Sequence, residues 1–132
     1  MDLEKFYDRY WLEKAEDHDV SRMRMIADRI GSGEQVLDFG GQVGLAAKLF
    51  LERGADVTLT DISGVAVEKA SMRGVIKAFK VNPDIQPLPF ADGSFDTVVS
   101  SSSIEHVFYP EKMVSESARV LRTGGRFILL VP

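Results

Sequence analysis

The sequence contains no cysteine. That single absence excludes a disulfide scaffold, a thiolate metal site and a cysteine nucleophile. Histidine is nearly as scarce, with two in the chain. His18, read as a surface residue at a helix end, and His106 leave a histidine-rich metal centre short of ligands, so no metal is expected. No apolar run approaches the roughly 20 residues of a membrane span. The opening MDLEKFYDRYW is charged and aromatic, unlike a secretory leader. No Gly-Lys-Ser/Thr follows a glycine loop, which excludes a P-loop, and no G-x-S-x-G marks a nucleophile elbow. Excess positive charge is missing too: 16 basic residues face 20 acidic ones, for a net charge of -4. Broad binding to a nucleic-acid backbone is therefore not expected. Arg22, Arg24 and Arg29 are interleaved with Asp28 and read as a solvated helix face. What remains is a soluble, cytoplasmic chain of 132 residues. That length suits one domain over 1–132, with a small molecule rather than nucleic acid or membrane as its partner.

What the sequence does have is a regular alternation of periods. Leu3, Phe6, Tyr7, Tyr10 and Trp11 form one apolar stripe at helical spacing. The stripe is strongly aromatic, and suits either a helix packed on the core or a lid, within residues 1–18, that covers a ligand. A second helix is predicted over 19–30. A buried strand over 35–39 precedes a helix over 45–53, and a strand over 56–60 precedes a helix over 64–73 with Ser63 as its N-cap. A third strand is expected over 75–81. A proline-rich loop fills 82–94, with Asp92-Gly93 as a turn. A fourth strand over 95–101 leads to a helix over 110–121 that opens on Pro110. Thr123-Gly124-Gly125 is expected to break that helix before a fifth strand over 126–131. Strands alternating with helices imply parallel pairing and a doubly wound α/β sheet. Ligands of such sheets sit beyond the carboxyl ends of the strands, where the winding reverses. That places the candidate site after strands one and four.

After strand one the chain reads Asp38-Phe39-Gly40-Gly41-Gln42-Val43-Gly44. Glycine permits a tight turn and close approach to a ligand, and the helix start that follows favours an anion. A plain strand-to-helix turn would also use these residues. The dinucleotide fingerprint G-x-G-x-x-G fails from either glycine, because Gln42 or Val43 occupies its middle position, so a nicotinamide cofactor is disfavoured. Asp61 ends strand two about 20 positions beyond Gly40, the spacing at which an acid receives ribose hydroxyls. A loop or capping aspartate is the plainer reading of the same residue.

Four segments then stand in order: VLDFGGQVG, VTLTDIS, LPFADGSFDTVVSSSSIEHV and ESARVLRTGGRFILLVP. Together they resemble the class I S-adenosylmethionine-dependent methyltransferases, in their small-molecule branch, over residues 35–132. FYDRYW resembles the aromatic N-terminal helix of many members. The resemblance implies S-adenosylmethionine as cofactor and a Rossmann-like five-strand sheet of order 3-2-1-4-5, mostly parallel and lacking the family's last two strands. It places Asp38, Gly40, Gly41 and Gly44 around the methionine part of the cofactor. Asp61 falls on the ribose, Ile62 on the adenine, Asp84 near the adenine amino group with Ile85 beside the ring, and Ser101 faces the sulfonium. Glu105-His106 matches a pair common just beyond strand four. Tyr7, Tyr10 and Trp11 would close over the sulfonium by cation–π attraction.

Methyl transfer asks chiefly for alignment and exclusion of water, so no catalytic triad is required. His106 is the candidate base, with a structural role in the loop after strand four as the alternative. The Ser100–Ser103 run replaces the Asn-Pro-Pro-aromatic motif of the branch that methylates DNA amines. Two departures stand out. Gln42 occupies the middle position of the family's G-x-G-x-G loop, and the sequence stops at Pro132. Strand five then becomes an apolar edge, and a homodimer through that edge, or a piece of a longer chain, is expected. A module that binds the cofactor without transferring its methyl group is the competing function.

Overall fold

The computed structural model describes residues 1–14 and 20–132. His18 lies outside the described residues. Helix α1 (Leu3–Glu13) and helix α2 (Ser21–Ala27) precede strand β1 (Gln35–Phe39), helix α3 (Leu45–Glu52), strand β2 (Asp56–Asp61), helix α4 (Gly64–Met72) and strand β3 (Lys77–Lys80). Strand β4 (Phe95–Ser101), a 3-10 turn over Ile104–His106, helix α5 (Pro110–Val120) and strand β5 (Leu121–Leu130) complete the described elements. The sheet runs β3-β2-β1-β4-β5, with every neighbouring pair parallel. This is the doubly wound order expected from the sequence. The winding reverses between β1 and β4.

Alternation along the central strands feeds two apolar layers. Val36, Val57, Leu59 and Val99 meet Ala46, Ala47 and Phe50 of α3 on one face. Leu37, Phe39 and Val98 meet Met113 and Val120 of α5 on the other. Asp38 falls on the side of Val36, at the strand's carboxyl end, where apolar packing gives way to the glycine loop. Ser63 caps α4 as expected: its Oγ accepts the Ala66 N–H at 3.1 Å.

Helix α2 is shorter than the expected 19–30, ending at Ala27, and two strand boundaries also differ from expectation for physical reasons. Strand β5 starts at Leu121, not Arg126. Leu121 pairs with Phe95 and Arg126 with Thr97, so the residues between them loop out as a bulge rather than ending the pairing. Gly124 takes φ +79°, and a side chain at Gly125 would press on the Arg122 and Asp96 carbonyls at 2.9 Å. Strand β3 is confined to Lys77–Lys80, while buried Val75 belongs to the α3–α4 layer ahead of it. The apolar run FILLV is only partly covered, since Leu129 on the edge strand and Val131 just beyond it are each 45% exposed.

Candidate functional site

The loop after β1 turns on Gly40, at φ +79°. The Gly40 and Gly41 N–H groups both donate to the Thr60 carbonyl, at 2.8 and 3.0 Å, which ties the loop to the end of β2. A Cβ at Gly40 would lie 2.5 Å from Ser103 Oγ, and one at Gly41 would collide with Leu59. Ser103 Oγ donates to the Gly40 carbonyl at 2.8 Å, joining the loop after β4 to the loop after β1. Gln42 takes a left-handed φ of +57°. That conformation aims its backbone N–H at Asp61 Oδ2, 2.9 Å away. The Ser63 N–H meets Asp61 Oδ1 at 2.9 Å. Asp61 is thus fixed from both sides by backbone donors.

These pieces surround a cavity of about 570 Å³. Asp38, Gly40, Gly41, Asp61, Ile62, Ser101 and His106 all line it. Its outer wall is the aromatic face of α1: Phe6, Tyr7, Tyr10 and Trp11. Tyr7 stands edge-on to Phe6, Tyr10 and His106 with ring centroids 5.0, 6.0 and 6.0 Å apart. Trp11 is buried against Val43 and Ala66. The sequence left core packing and a lid as alternatives for this helix; Trp11 packs on the core, and the other rings line the cavity.

Burial dominates the electrostatics. It pushes the Asp38 carboxyl up to about 7, and the Asp61 charge adds to the effect. Asp38 Oδ2 is buried and has no hydrogen-bond partner. Burial also raises Asp61, to about 6; hydrogen bonds from Ser63 and Gln42 oppose that, and the Asp8 charge reinforces it. The Tyr7 phenol is raised by burial and by the charge on Asp61. A cavity with two buried carboxylates at its base favours a cation. The donor set fits S-adenosylmethionine on this ground: Asp38 lines the cavity with one carboxylate oxygen unpartnered, Thr60 lines it with an unpartnered hydroxyl, and a glycine loop closes one end. Asp38, Gly40, Gly41, Asp61 and Ile62 are the residues that would hold it.

Three residues proposed from the sequence do not reach the cavity. Gly44 lies behind it as the α3 N-cap at φ +87°, close against Ala70, and serves the turn. Asp84 is buried elsewhere. Its Oδ1 accepts the Tyr109 N–H at 2.9 Å and its Oδ2 the Phe108 N–H at 3.1 Å, so it fastens the start of α5. Ile85 points outward, 71% exposed. Val81 and Pro83 line the cavity in their place. Asp8 is not marked by its sequence pattern, yet its carboxylate reaches the start of α4. Helical periodicity marks Asp8 as solvent-facing, and no local signal reveals a partner 55 residues away.

Residues 37–129 match the family model described as a methyltransferase domain. The chain is 32% identical over 108 residues to the demethylmenaquinone methyltransferase of Renibacterium salmoninarum, covering 80% of this chain and 45% of that one. It is 38% identical over 102 residues to the ubiquinone/menaquinone biosynthesis C-methyltransferase UbiE of Brucella canis, covering 71% of this chain and 38% of that one. The chain thus spans under half the length of these curated relatives. The solved YcgJ protein of Bacillus subtilis superposes with a TM-score of 0.72 at 29% identity, over 81% of this chain and 48% of that one. The domain match, the sheet order and the acid-based cavity agree: the chain belongs to the methyltransferase domain family, in its class I S-adenosylmethionine-dependent branch.

Proposed function

We propose that residues 1–132 form one domain that binds S-adenosylmethionine in this cavity and directs its methyl group to a small-molecule acceptor. The observation that carries the reading is the meeting of Asp38, Asp61 and the Gly40–Gly41 turn in one cavity under α1. The cofactor supplies a methyl group already activated by its sulfonium. The chain's own residues do the rest. Asp61 is locked by the Gln42 and Ser63 N–H groups, and its remaining lone pairs suit ribose hydroxyls, each such bond to a charged acceptor contributing roughly 1.5–3 kcal/mol. Asp38 offers negative charge to the cationic part of the ligand, and Ile62 offers an apolar face to the base. The rings of α1 exclude water, acting as the lid. Ser101 stands at the end of β4 on the acceptor side. His106 is the base available there when the acceptor atom carries a proton, its side chain half-exposed beside Glu105.

The names of the curated relatives put quinone rings first among acceptors to try. No helix among the described residues is long and apolar enough to cross a membrane, and a cytoplasmic site of action is part of the proposal. So is a homodimer through the free β5 edge, which scattering of a concentrated solution as a strict monomer would contradict.

Calorimetry with S-adenosylhomocysteine tests the reading. Binding is expected, and Asp61→Ala should weaken it roughly tenfold or more. An unchanged affinity in a folded variant removes Asp61 from the site. Binding with no transfer to any member of an acceptor panel selects the competing module instead.

A further inference from the structure

Helix α1 is joined to the cavity by more than its rings. Asp8 Oδ1 accepts the Ser63 hydroxyl at 2.6 Å and the Val65 N–H at 3.2 Å. Ser63 is fully buried and is the residue between α1 and Asp61, since its N–H donates to Asp61 Oδ1. Its Oγ also caps Ala66. The first turn of α4 therefore takes one acceptor from its own N-cap and one from a helix far away in sequence. Helix α1, which carries Asp8, also carries the cavity wall through Tyr7 and Trp11, which lie to the same side of Asp8 on the helix.

We propose that Asp8 is a positioning residue that couples the seating of α1 over the cavity to the orientation of the Asp61 carboxylate. The inference rests on the proposed cofactor site. Its physical basis is a three-residue chain, Asp8–Ser63–Asp61, with no slack: each link is a hydrogen bond of 2.6–2.9 Å. With α1 seated, Ser63 is held and its N–H stays on Asp61. With α1 displaced, Ser63 loses its acceptor and the Val65 N–H is left open. By linkage the reverse holds, and a ligand that needs Asp61 in place tightens α1. The coupling also has an electrostatic cost, because the Asp8 charge is among the influences that raise Asp61. Among the described residues, the other ionisable groups near Asp61 are Asp38 from β1 and Tyr7 from α1, with Tyr10, His106, Lys14 and Arg22 elsewhere on the cavity wall. Lys80, across from α1, is paired with Glu4.

The two functions of Asp8 separate on substitution. Asp8→Asn keeps an acceptor oxygen for Ser63 and Val65 and removes the charge. Asp8→Ala removes both. α1 stays anchored in either variant by Trp11 and by the Glu4–Lys80 pair at 2.7 Å. Calorimetry with S-adenosylhomocysteine between pH 5 and 8 reads the difference. At pH 8, Asp8→Ala is expected to bind about tenfold more weakly and Asp8→Asn within about threefold of the parent. The parent loses affinity as Asp61 gains a proton on acidification, and Asp8→Asn should hold affinity to lower pH. A residue that merely props up α1 would lower the melting temperature without moving that midpoint. Affinity of Asp8→Ala within twofold of the parent, or an unmoved midpoint in Asp8→Asn, overturns the coupling. Failure of the parent to bind at all overturns the cofactor site itself. The coupling is then read in ligand-free protein, where Asp8→Ala should deprotect the Gln42 and Ser63 amides from hydrogen exchange, and unchanged protection refutes it.

Discussion

Asp38→Asn is expected to stabilise the ligand-free protein at pH 8 while weakening its hold on a cationic ligand. Asp38 is 1% exposed, with Oδ2 unpartnered. Raising its carboxyl from 3.8 to about 7 corresponds to roughly 4 kcal/mol of penalty on the charged form, at 1.36 kcal/mol per pK unit. Asparagine removes the charge but introduces an amide N–H that needs an acceptor, so the net gain should be nearer 1–2 kcal/mol. The pH dependence fixes the sign. A carboxyl raised in the folded state contributes stability that is complete below the unfolded value of 3.8 and is lost as pH rises through about 7. Asp61 behaves likewise up to about 6. The carboxylates of Glu34, Asp56, Asp96 and Glu116 are lowered instead, by hydrogen bonds and cationic partners against the cost of burial, and stay ionised above pH 5. Among the described groups, urea unfolding of ligand-free protein between pH 5 and 8 therefore isolates the buried pair. The parent should lose stability across that range, and Asp38→Asn should lose less and exceed the parent at pH 8. A variant less stable at pH 8, or an unchanged slope, refutes the picture of a charge buried at a cost.

Three further outcomes follow from the same geometry. Gln42→Gly should stabilise by about 1 kcal/mol, because a side chain in the left-handed region costs about that much, and should leave ligand affinity within twofold, since the N–H facing Asp61 remains; urea unfolding with calorimetry checks both. Trp11→Ala should cost about 3 kcal/mol by thermal or urea unfolding, from the void left between Val43 and Ala66, and should open the cavity to solvent. Gly40→Ala should lower both stability and ligand affinity, because the added Cβ meets Ser103 Oγ and breaks its bond to the Gly40 carbonyl; an affinity equal to the parent's would show that the turn tolerates a side chain.

The sheet was legible from sequence because its signals are local. Buried central strands such as VLDF carry their apolar runs in adjacent residues, and the glycines around Gly40 mark a turn that nearly any chain would build there. Asp61 was legible for the same reason, lying one helix and one strand beyond that turn. Asp84 was not, because the direction of an acid in a proline-rich loop is decided by which N–H groups α5 brings to it. Ile85, its neighbour in that loop, likewise turns away from the cavity. The early start of β5 depends on a bulge that glycines permit but do not announce, since the same Thr-Gly-Gly reads as a helix terminator. Asp8 was invisible because it lies among the charged positions of an amphipathic helix, and only the approach of α4 gives it partners. Gln42 illustrates the converse: its departure from the family's glycine was plain, while its left-handed backbone and its reach to Asp61 emerged from the fold.

A crystal structure with S-adenosylhomocysteine bound tests the central claim most directly. The ribose is expected within hydrogen-bonding distance of Asp61, with the chain of the amino acid passing the Gly40–Gly41 turn beneath Tyr7. Ligand density elsewhere, or a cavity still empty at saturating ligand, would contradict it.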